Sequence, residues 1–258
     1  MDYRSAAEAR DLAGLRLALT VGVPGPWGES AKKVFEYKGI PYVPVAQYAS
    51  RANEDLVSWT GIRNAPVAVY ENEAPRSNFQ DIVALAERLQ PEPRLVPMDP
   101  VERQVCLGIS ADICGEGGFG WKRRILMSQR PRDDDPPDLE DPGLDRKVMG
   151  QAYRHSADEA ALALDYVAGL LDELAARLKR QRLLDSPYFV GNAVTACDIH
   201  WACFSALLEP LPHDVNPMPD WLRLSYGYLG PLAPHRHQIL IDHRDHMFAA
   251  HLGLPLDF

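Results

Sequence analysis

Two short segments that lie far apart in the chain constrain its fold more than any other feature. Residues 64–69 (NAPVAV) place Pro66 just before a short apolar run, and residues 188–198 (YFVGNAVTACD) form a turn that leads into a capped helix. A proline at the start of a strand cannot donate a hydrogen bond to a sheet, so it is typical of an edge, a bulge or a cis peptide bond. The neighbouring backbone groups stay free to pair with an extended, peptide-like ligand. The first segment therefore predicts a binding element, and the second predicts a folding element.

Thr195 and Asp198 predict the start of a helix. The Thr195 hydroxyl can accept a hydrogen bond from the backbone N–H of Asp198, and the Asp198 carboxylate can accept one from the N–H of Thr195, which is a capping box. Val194 and Ile199 are spaced for the hydrophobic contact that often accompanies such a box. We interpret Asp198 as structural, with a contribution of about 1 kcal/mol to the stability of the helix.

The order of predicted elements changes along the chain. The first part alternates between strands at 15–21, 40–45 and 67–70 and helices at 29–38, 54–59 and 78–89. Such alternation predicts a mixed sheet covered by helices. After residue 99 the patterns are helical (100–113, 145–182, 196–208, 221–229 and 234–252), with a charged, proline-rich loop at 130–142. We therefore predict an α/β domain at 1–90, a linker at 91–98 and an all-α domain at 99–258.

Composition and charge exclude several classes of function. The 258 residues carry a net charge of −9 without a basic patch, which disfavours nucleic-acid binding. No segment has the length and apolarity of a membrane span, and the first residues lack the apolar core of a signal peptide, so we expect a cytoplasmic protein without a membrane partner. The four cysteines form no C-x-x-C pair and are predicted to be buried, reduced thiols.

The histidines near the end of the sequence do not predict a metal site. His243 and His246 are three residues apart on a predicted helix, and His235 and His237 precede them. A metal site needs three or four convergent ligands, and no acidic or cysteine partner completes a clear set. Surface or interface positions are the simpler interpretation.

In its two segments and its order of elements, the chain resembles the glutathione S-transferase superfamily. Members of that superfamily join a thioredoxin-like domain to an all-helical domain, and they carry a cis proline before the third strand. The segment that leads into their central helix contains a glycine, then a Ser or Thr, and then an Asp. Gly191, Thr195 and Asp198 match these positions here. The resemblance spans nearly the whole chain. It implies a thioredoxin-like N-terminal domain, an all-α C-terminal domain, glutathione as a ligand and a homodimer.

The resemblance also implies where glutathione would bind. In the family the cysteinyl backbone of glutathione pairs with the main chain of the residue after or before the cis proline, which implies Val67 as the backbone ligand, with Ala65 and Pro66 in the same binding segment. The alternative is that these residues only turn the chain. An acidic residue followed by serine usually holds the γ-glutamyl end. Asn78 and Phe79 occupy those positions here, and Ser77 is the neighbouring hydroxyl.

The thiol-activating residue is implied at the start of the first helix of the α/β domain. Alignment of residues 39–42 (GIPY) with the family pattern places Gly25 where other members have Ser or Cys. Ser30 is the nearest hydroxyl on this helix, where the positive helix end would stabilise a thiolate. The alternative for Ser30 is a helix cap.

Two tryptophans are candidates for the cleft between the domains. Trp27, predicted on a short loop, can either stack on an apolar substrate or plug the interface. Trp121 follows a glycine-rich segment at 115–120 that is no phosphate loop, because it follows a helix rather than a strand. We expect Trp121 to form one wall of the cleft.

Three functional hypotheses follow from the sequence. The first is an enzyme that joins glutathione or a related thiol to an apolar electrophile. The second is a protein that binds an apolar small molecule without turnover on the same scaffold. The third is a structural or regulatory subunit that uses its helical part as an interaction surface.

Overall fold

The structure is a computed structural model that describes residues 1–131, 135–136, 139 and 157–258. Parts of the predicted loop at 130–142 and of the helix predicted at 145–182 lie outside these residues. No helix within the described ranges is long and apolar enough to cross a membrane.

A three-stranded sheet forms the centre of the N-terminal part. Its strands are β1 (Leu15–Thr20), β2 (Tyr42–Gln47) and β3 (Val67–Tyr70), in the order β2-β1-β3. β2 runs parallel to β1, whereas β3 runs antiparallel to β1 with Ala18 opposite Val67. The outer edge of β3 carries a single antiparallel bridge from Ala68 to Arg76. The predicted mixed sheet is therefore confirmed.

Four helices accompany the sheet: α1 (Ala6–Ala9), α2 (Pro26–Tyr37), α3 (Glu54–Thr60) and α4 (Phe79–Leu89). α2 begins three residues earlier than predicted, because Pro26 occupies the first helical position. A proline suits that position, since its missing N–H would have no partner there anyway. The prediction of a short loop at Trp27 was therefore wrong, because residues 26–28 form the first turn of α2.

The rest of the described chain is helical, as predicted. Its α-helices are α5 (Pro100–Cys114), α6 (Phe119–Met127), α7 (Ala157–Arg182), α8 (Ala196–Phe204), α9 (Asp220–Tyr226) and α10 (Gln238–Met247). Short 3₁₀ segments lie at Ser205–Leu207 and Gly230–His235, and a π-helical turn lies at Phe248–Leu252. The sequence did not predict α6, because its start follows glycines that are unfavourable inside helices.

The two faces of the sheet belong to two hydrophobic clusters. Leu15, Leu17 and Leu19 enter a large cluster that includes Phe35 of α2 and continues to Trp201 of α8. Ala18 of β1 and Val67 and Val69 of β3 belong to a smaller cluster on the other face, together with Leu56 of α3. Helices α1 and α3 cover this cluster. This division follows from the two-residue period of a strand. One continuous core therefore joins the sheet to the helical part.

Three buried lysines, two in α2 and one at its C-cap, bind other segments to this helix. Lys33 Nζ donates to the carbonyl of Leu252 at 2.9 Å, and Lys32 Nζ donates to the carbonyl of Asp257. Lys38 Nζ donates to Glu87 at 2.6 Å and to the carbonyl of Pro93 at 2.7 Å. α2 thus binds both the C-terminal segment and the segment that leads to α5. The fold is a thioredoxin-like α/β part followed by an all-helical part, as predicted.

Candidate functional site

Three segments meet at one end of the sheet. Because β3 runs antiparallel to β1, the loop before Val67 lies beside the C-terminal end of β1 at Thr20. The chain passes from Thr20 into the start of α2. The bridge between Ala68 and Arg76 brings the start of α4 to the same end of β3. The residues that the sequence suggested for ligand binding therefore converge, although they come from separate parts of the chain.

The Ala65–Val67 segment supplies the edge of this site. The peptide bond between Ala65 and Pro66 is cis. Pro66 and Val67 are buried, and Ala65 is half-buried. Within the described part of the chain, no hydrogen bond reaches the N–H or the carbonyl of Ala65. One main-chain donor and one acceptor thus remain for an extended ligand.

Ser77 and Asn78 lie next along the start of α4. Asn78 is the N-cap residue, since its Oδ1 accepts from the Asp81 N–H at 2.8 Å and its Nδ2 donates to the Asp81 carboxylate at 2.7 Å. Ser77 is exposed. The Asn78 amide is therefore occupied by its capping role, and the Ser77 hydroxyl is the polar group that faces solvent beside the edge.

Trp27 connects the start of α2 to the helical part. Its Nε1 donates to the carbonyl of Cys114 at 3.0 Å, and its ring meets Phe204 edge to face with centroids 4.9 Å apart. The guanidinium of Arg124 lies 5.8 Å from the ring centroid. Through these contacts Trp27 packs between the α/β part and the helical part.

Gly120 makes the Trp27 contact sterically feasible. A Cβ at this position would lie 2.4 Å from the Phe204 ring and 2.8 Å from the Trp27 ring. Real Cβ atoms do not approach other atoms so closely, so a larger residue would force the rings apart. Trp121 follows directly in α6 and is half-buried against the large hydrophobic cluster. The sequence predicted a role for this glycine-rich segment but not for Phe204. The two are far apart in the chain, so no local pattern indicates their contact.

The start of α2 offers backbone donors rather than a side-chain hydroxyl. Ser30 is 5% exposed, and its Oγ donates to the carbonyl of Trp27 at 3.0 Å. Gly25 is the N-cap residue, and a Cβ there would meet nothing within 4 Å. The first intrahelical bond runs from the Glu29 N–H to the Gly25 carbonyl at 2.9 Å. The N–H groups of Trp27 and Gly28 precede it and have no partner within the helix.

Glu29, the first charged residue of α2, is buried. One carboxylate oxygen of Glu29 lies 2.9 Å from Lys32 Nζ. Burial raises the pKa of Glu29, and the charge of Lys32 partly counteracts this shift. Burial also raises the pKa of the Cys114 thiol, so this thiol is kept protonated. All four cysteines are free and buried, as predicted.

The predicted capping box supports the helix that carries Phe204. Asp198 Oδ2 accepts from the N–H of Thr195 at 2.9 Å and from its hydroxyl at 2.7 Å. Asp198 Oδ1 accepts from the N–H of Phe189 at 2.8 Å and lies 2.9 Å from Nε2 of His243. The box is confirmed, and two partners from outside α8 extend it.

The other C-terminal histidines pair with side chains of the protein. His235 and His237 both contact the carboxylate of Asp172, at 3.0 and 2.6 Å, and His251 Nε2 lies 3.0 Å from the Tyr188 hydroxyl. No group of three or more His, Cys, Asp or Glu side chains is arranged to hold a metal ion in the ranges that the structure describes.

Solved structures with the same architecture cover nearly the whole chain. A glutathione S-transferase from Methylobacterium radiotolerans, in complex with glutathione sulfonate, has a TM-score of 0.58 at 18% identity and covers 95% of this chain and 97% of its own. The Tau class enzyme of mango, Mangifera indica, has a TM-score of 0.56 at 17% identity, with coverages of 89% and 88%. A glutathione S-transferase from Methylobacillus flagellatus with glutathione bound has a TM-score of 0.55 at 14% identity, with coverages of 89% and 98%.

Comparisons of sequence alone add nothing to this likeness, since no family model and no curated protein matches the chain. At these identities the likeness concerns the backbone, not the chemistry. From its element order, its sheet and its structural neighbours, the chain has the fold of the glutathione S-transferases.

Proposed function

We propose that the protein binds glutathione or a related γ-glutamyl thiol and transfers it to an apolar electrophile. The observation that carries this proposal is the unpaired main chain of Ala65, at the end of the sheet where α2 and α4 also begin. An extended ligand can complete this edge by main-chain hydrogen bonds. Solved structures of the same fold hold glutathione or glutathione sulfonate, which agrees with such a ligand.

Each segment of the site has a role in this proposal. Ala65 pairs with the cysteinyl backbone of the ligand, and Pro66 and Val67 shape the edge. The Ser77 hydroxyl, beside Asn78, donates to the γ-glutamyl carboxylate. The free N–H groups at the start of α2 stabilise the thiolate, because the positive end of a helix favours a negative charge. Ser30 joins them only if its bond to the Trp27 carbonyl opens.

The electrophile would contact the interface between the two parts of the chain. Trp27 and Trp121 are half-buried, and both present aromatic surface. An apolar substrate beside them would lie close to the start of α2. Aromatic side chains in such positions bind apolar ligands without strict demands on their shape.

One observation favours a second candidate, a protein that binds an apolar ligand without turnover. Gly25 has no side chain, and the Ser30 hydroxyl is buried and bonded to the Trp27 carbonyl. Thiol activation would then depend on backbone donors alone. Removal of a side-chain donor to a charged group typically costs about 1.5–3 kcal/mol, which would slow the reaction without abolishing binding.

Calorimetric titration with glutathione tests the binding step. The Ser77→Ala variant should bind about tenfold to a hundredfold more weakly, because a hydrogen bond to a carboxylate is lost. Ser58→Ala is the matched control, since Ser58 is an exposed serine on α3, a helix that contributes no residue to the proposed site. A folded wild-type protein that gives no heat with glutathione would contradict the proposal.

Turnover of chlorodinitrobenzene with glutathione separates the two candidates. Binding with turnover supports the transferase, and binding without turnover supports the non-catalytic protein. A homodimer and a cytoplasmic location, which the sequence suggested, stay predictions.

A further inference from the structure

A small cavity lies between the α/β part and the helical part, apart from the candidate site. Pro24 and Glu29 line it from one side, and Asn216, Arg244 and Phe248 line it from the other. Its volume of about 10 Å³ matches the space that one water-sized molecule requires. The cavity thus has room for a single small occupant.

Two buried side chains in this cavity have polar atoms without a partner among the residues that the structure describes. Glu29 is 5% exposed; Lys32 pairs with one of its carboxylate oxygens at 2.9 Å, but no described residue donates to the other, Oε2. Asn216 is 0% exposed, and neither its Oδ1 nor its Nδ2 has a partner in the described part of the chain. Buried polar groups are normally hydrogen-bonded, because their transfer from water is otherwise unfavourable.

Hydrogen bonds hold the backbone of Asn216 in place. Its N–H donates to the Pro212 carbonyl at 2.9 Å. Its carbonyl accepts from the Met218 N–H at 2.8 Å and from the Arg223 guanidinium at 2.5 Å. The side chain that starts from this backbone is buried and lines the cavity.

The charges around the cavity favour a neutral occupant. Glu29 would repel an anion, and Lys32 already neutralises its carboxylate. The guanidinium of Arg244 in the opposite wall is likewise paired, with Asp245 at 2.8 Å, and the remaining wall is largely apolar, for example Leu211 and Leu256. One acceptor from Glu29 and both polar atoms of Asn216 make three partners, which is the number that a buried water usually has.

We propose that this cavity is a binding site for one neutral hydrogen-bonding molecule, a water, which bridges Glu29 and Asn216. The water links α2, two residues beyond Trp27, to the 211–218 segment of the helical part. It is thus an integral component of the interface that positions the start of α2. This assignment is independent of the proposed function.

Water-to-protein NMR on uniformly ¹⁵N-labelled protein tests the site. A long-lived internal water should give the Asn216 side-chain NH₂ protons NOE and ROE cross-peaks of opposite sign. The matched control is Asn53, whose Nδ2 donates to the carbonyls of Tyr48 at 2.9 Å and Arg51 at 3.1 Å. Its amide should show no such pair of peaks. Absence of the Asn216 peaks in folded protein would overturn the proposal.

A crystal structure gives an independent test. We expect one density peak at 2.7–3.2 Å, the usual hydrogen-bond distance, from Glu29 Oε2 and from the Asn216 amide. In the Asn216→Leu variant, whose side chain has a similar volume without polar atoms, this peak should vanish. If that variant does not fold, Glu29→Gln should retain the peak, because its amide still bonds to water. An empty cavity in the wild type, or an ion there, would contradict the assignment.

Discussion

Single residues show how strongly this fold controls the charge state of a side chain. His200 of α8 is fully buried, with its Nδ1 3.0 Å from the Ser110 hydroxyl and its ring 5.6 Å from that of Phe79. Burial lowers the pKa of His200 to about 4, and the nearby Asp198 carboxylate only partly opposes this. The lowered pKa of His200 could not be predicted from the sequence, because its partners Ser110 and Phe79 lie on α5 and α4.

His200 should make the stability of the protein depend on pH. An unfolded histidine takes up a proton near pH 6.5, whereas His200 in the fold does so near pH 4. Between these values the unfolded state holds more protons, so the stabilisation is complete above pH 6.5 and declines as the pH falls toward 4. The difference is worth about 3 kcal/mol. In urea unfolding followed by circular dichroism, His200→Gln should flatten the decline between pH 7 and 4.5.

His213 provides the control for this experiment. It is exposed, so His213→Gln should leave the pH dependence of the unfolding free energy unchanged. If the unfolding free energy of the wild type and of both variants depended on pH in the same way, His200 would not remain neutral in the fold.

At the scale of elements, the starts of α4 and α8 use the same chemistry in different surroundings. In both, a carboxylate in the first helical turn pairs with the N-cap residue, Asp81 with Asn78 and Asp198 with Thr195. Asp81 is exposed, whereas Asp198 is fully buried and also binds Phe189 and His243. The sequence predicted the capping box at α8 from local spacing alone, but not the contact with His243, which lies 45 residues further on.

Asp198→Asn and Asp81→Asn should differ strongly in their effect on stability. The amide at 198 keeps the volume but cannot accept from all the donors around it. Each lost hydrogen bond to a charged group costs about 1.5–3 kcal/mol, and several donors surround this carboxylate. The same change at 81 removes only an exposed capping interaction, with a cost of about 1 kcal/mol or less. Urea midpoints measure both variants, and equal losses would contradict the structural role of Asp198.

For the molecule as a whole, one hydrophobic core joins parts that the sequence suggested as separate domains. The alternating and helical patterns predicted the sheet and the helices well, because their signals are local. Residues 65–67 and 77–78 were predicted together from the resemblance, and the structure places them at one end of the sheet. The contact of Trp27 with Phe204 across Gly120 was not predicted, since it depends on the docking of α2 against α6 and α8.

A shared core predicts that the two parts unfold together. The structure places Trp59 beside the smaller cluster under the sheet and Trp201 within the large core. With 5-fluorotryptophan in the protein, both ¹⁹F signals should lose native intensity at the same urea concentration, as in a two-state transition. The signals are assigned with Trp59→Phe and Trp201→Phe. An earlier loss at Trp59 would mean that the sheet part unfolds on its own.

The buried lysines of α2 and of its C-cap have a practical consequence for proteolysis. Lys32, Lys33 and Lys38 are at most 6% exposed, and carbonyl or carboxylate oxygens accept hydrogen bonds from their side chains. Trypsin must draw a lysine into its specificity pocket, so the folded chain protects these three bonds. Cleavage at these bonds therefore follows the population of opened molecules rather than local fraying. Mass spectrometry of fragments cut after Lys32, Lys33 or Lys38 would thus measure how often α2 separates from the rest of the protein.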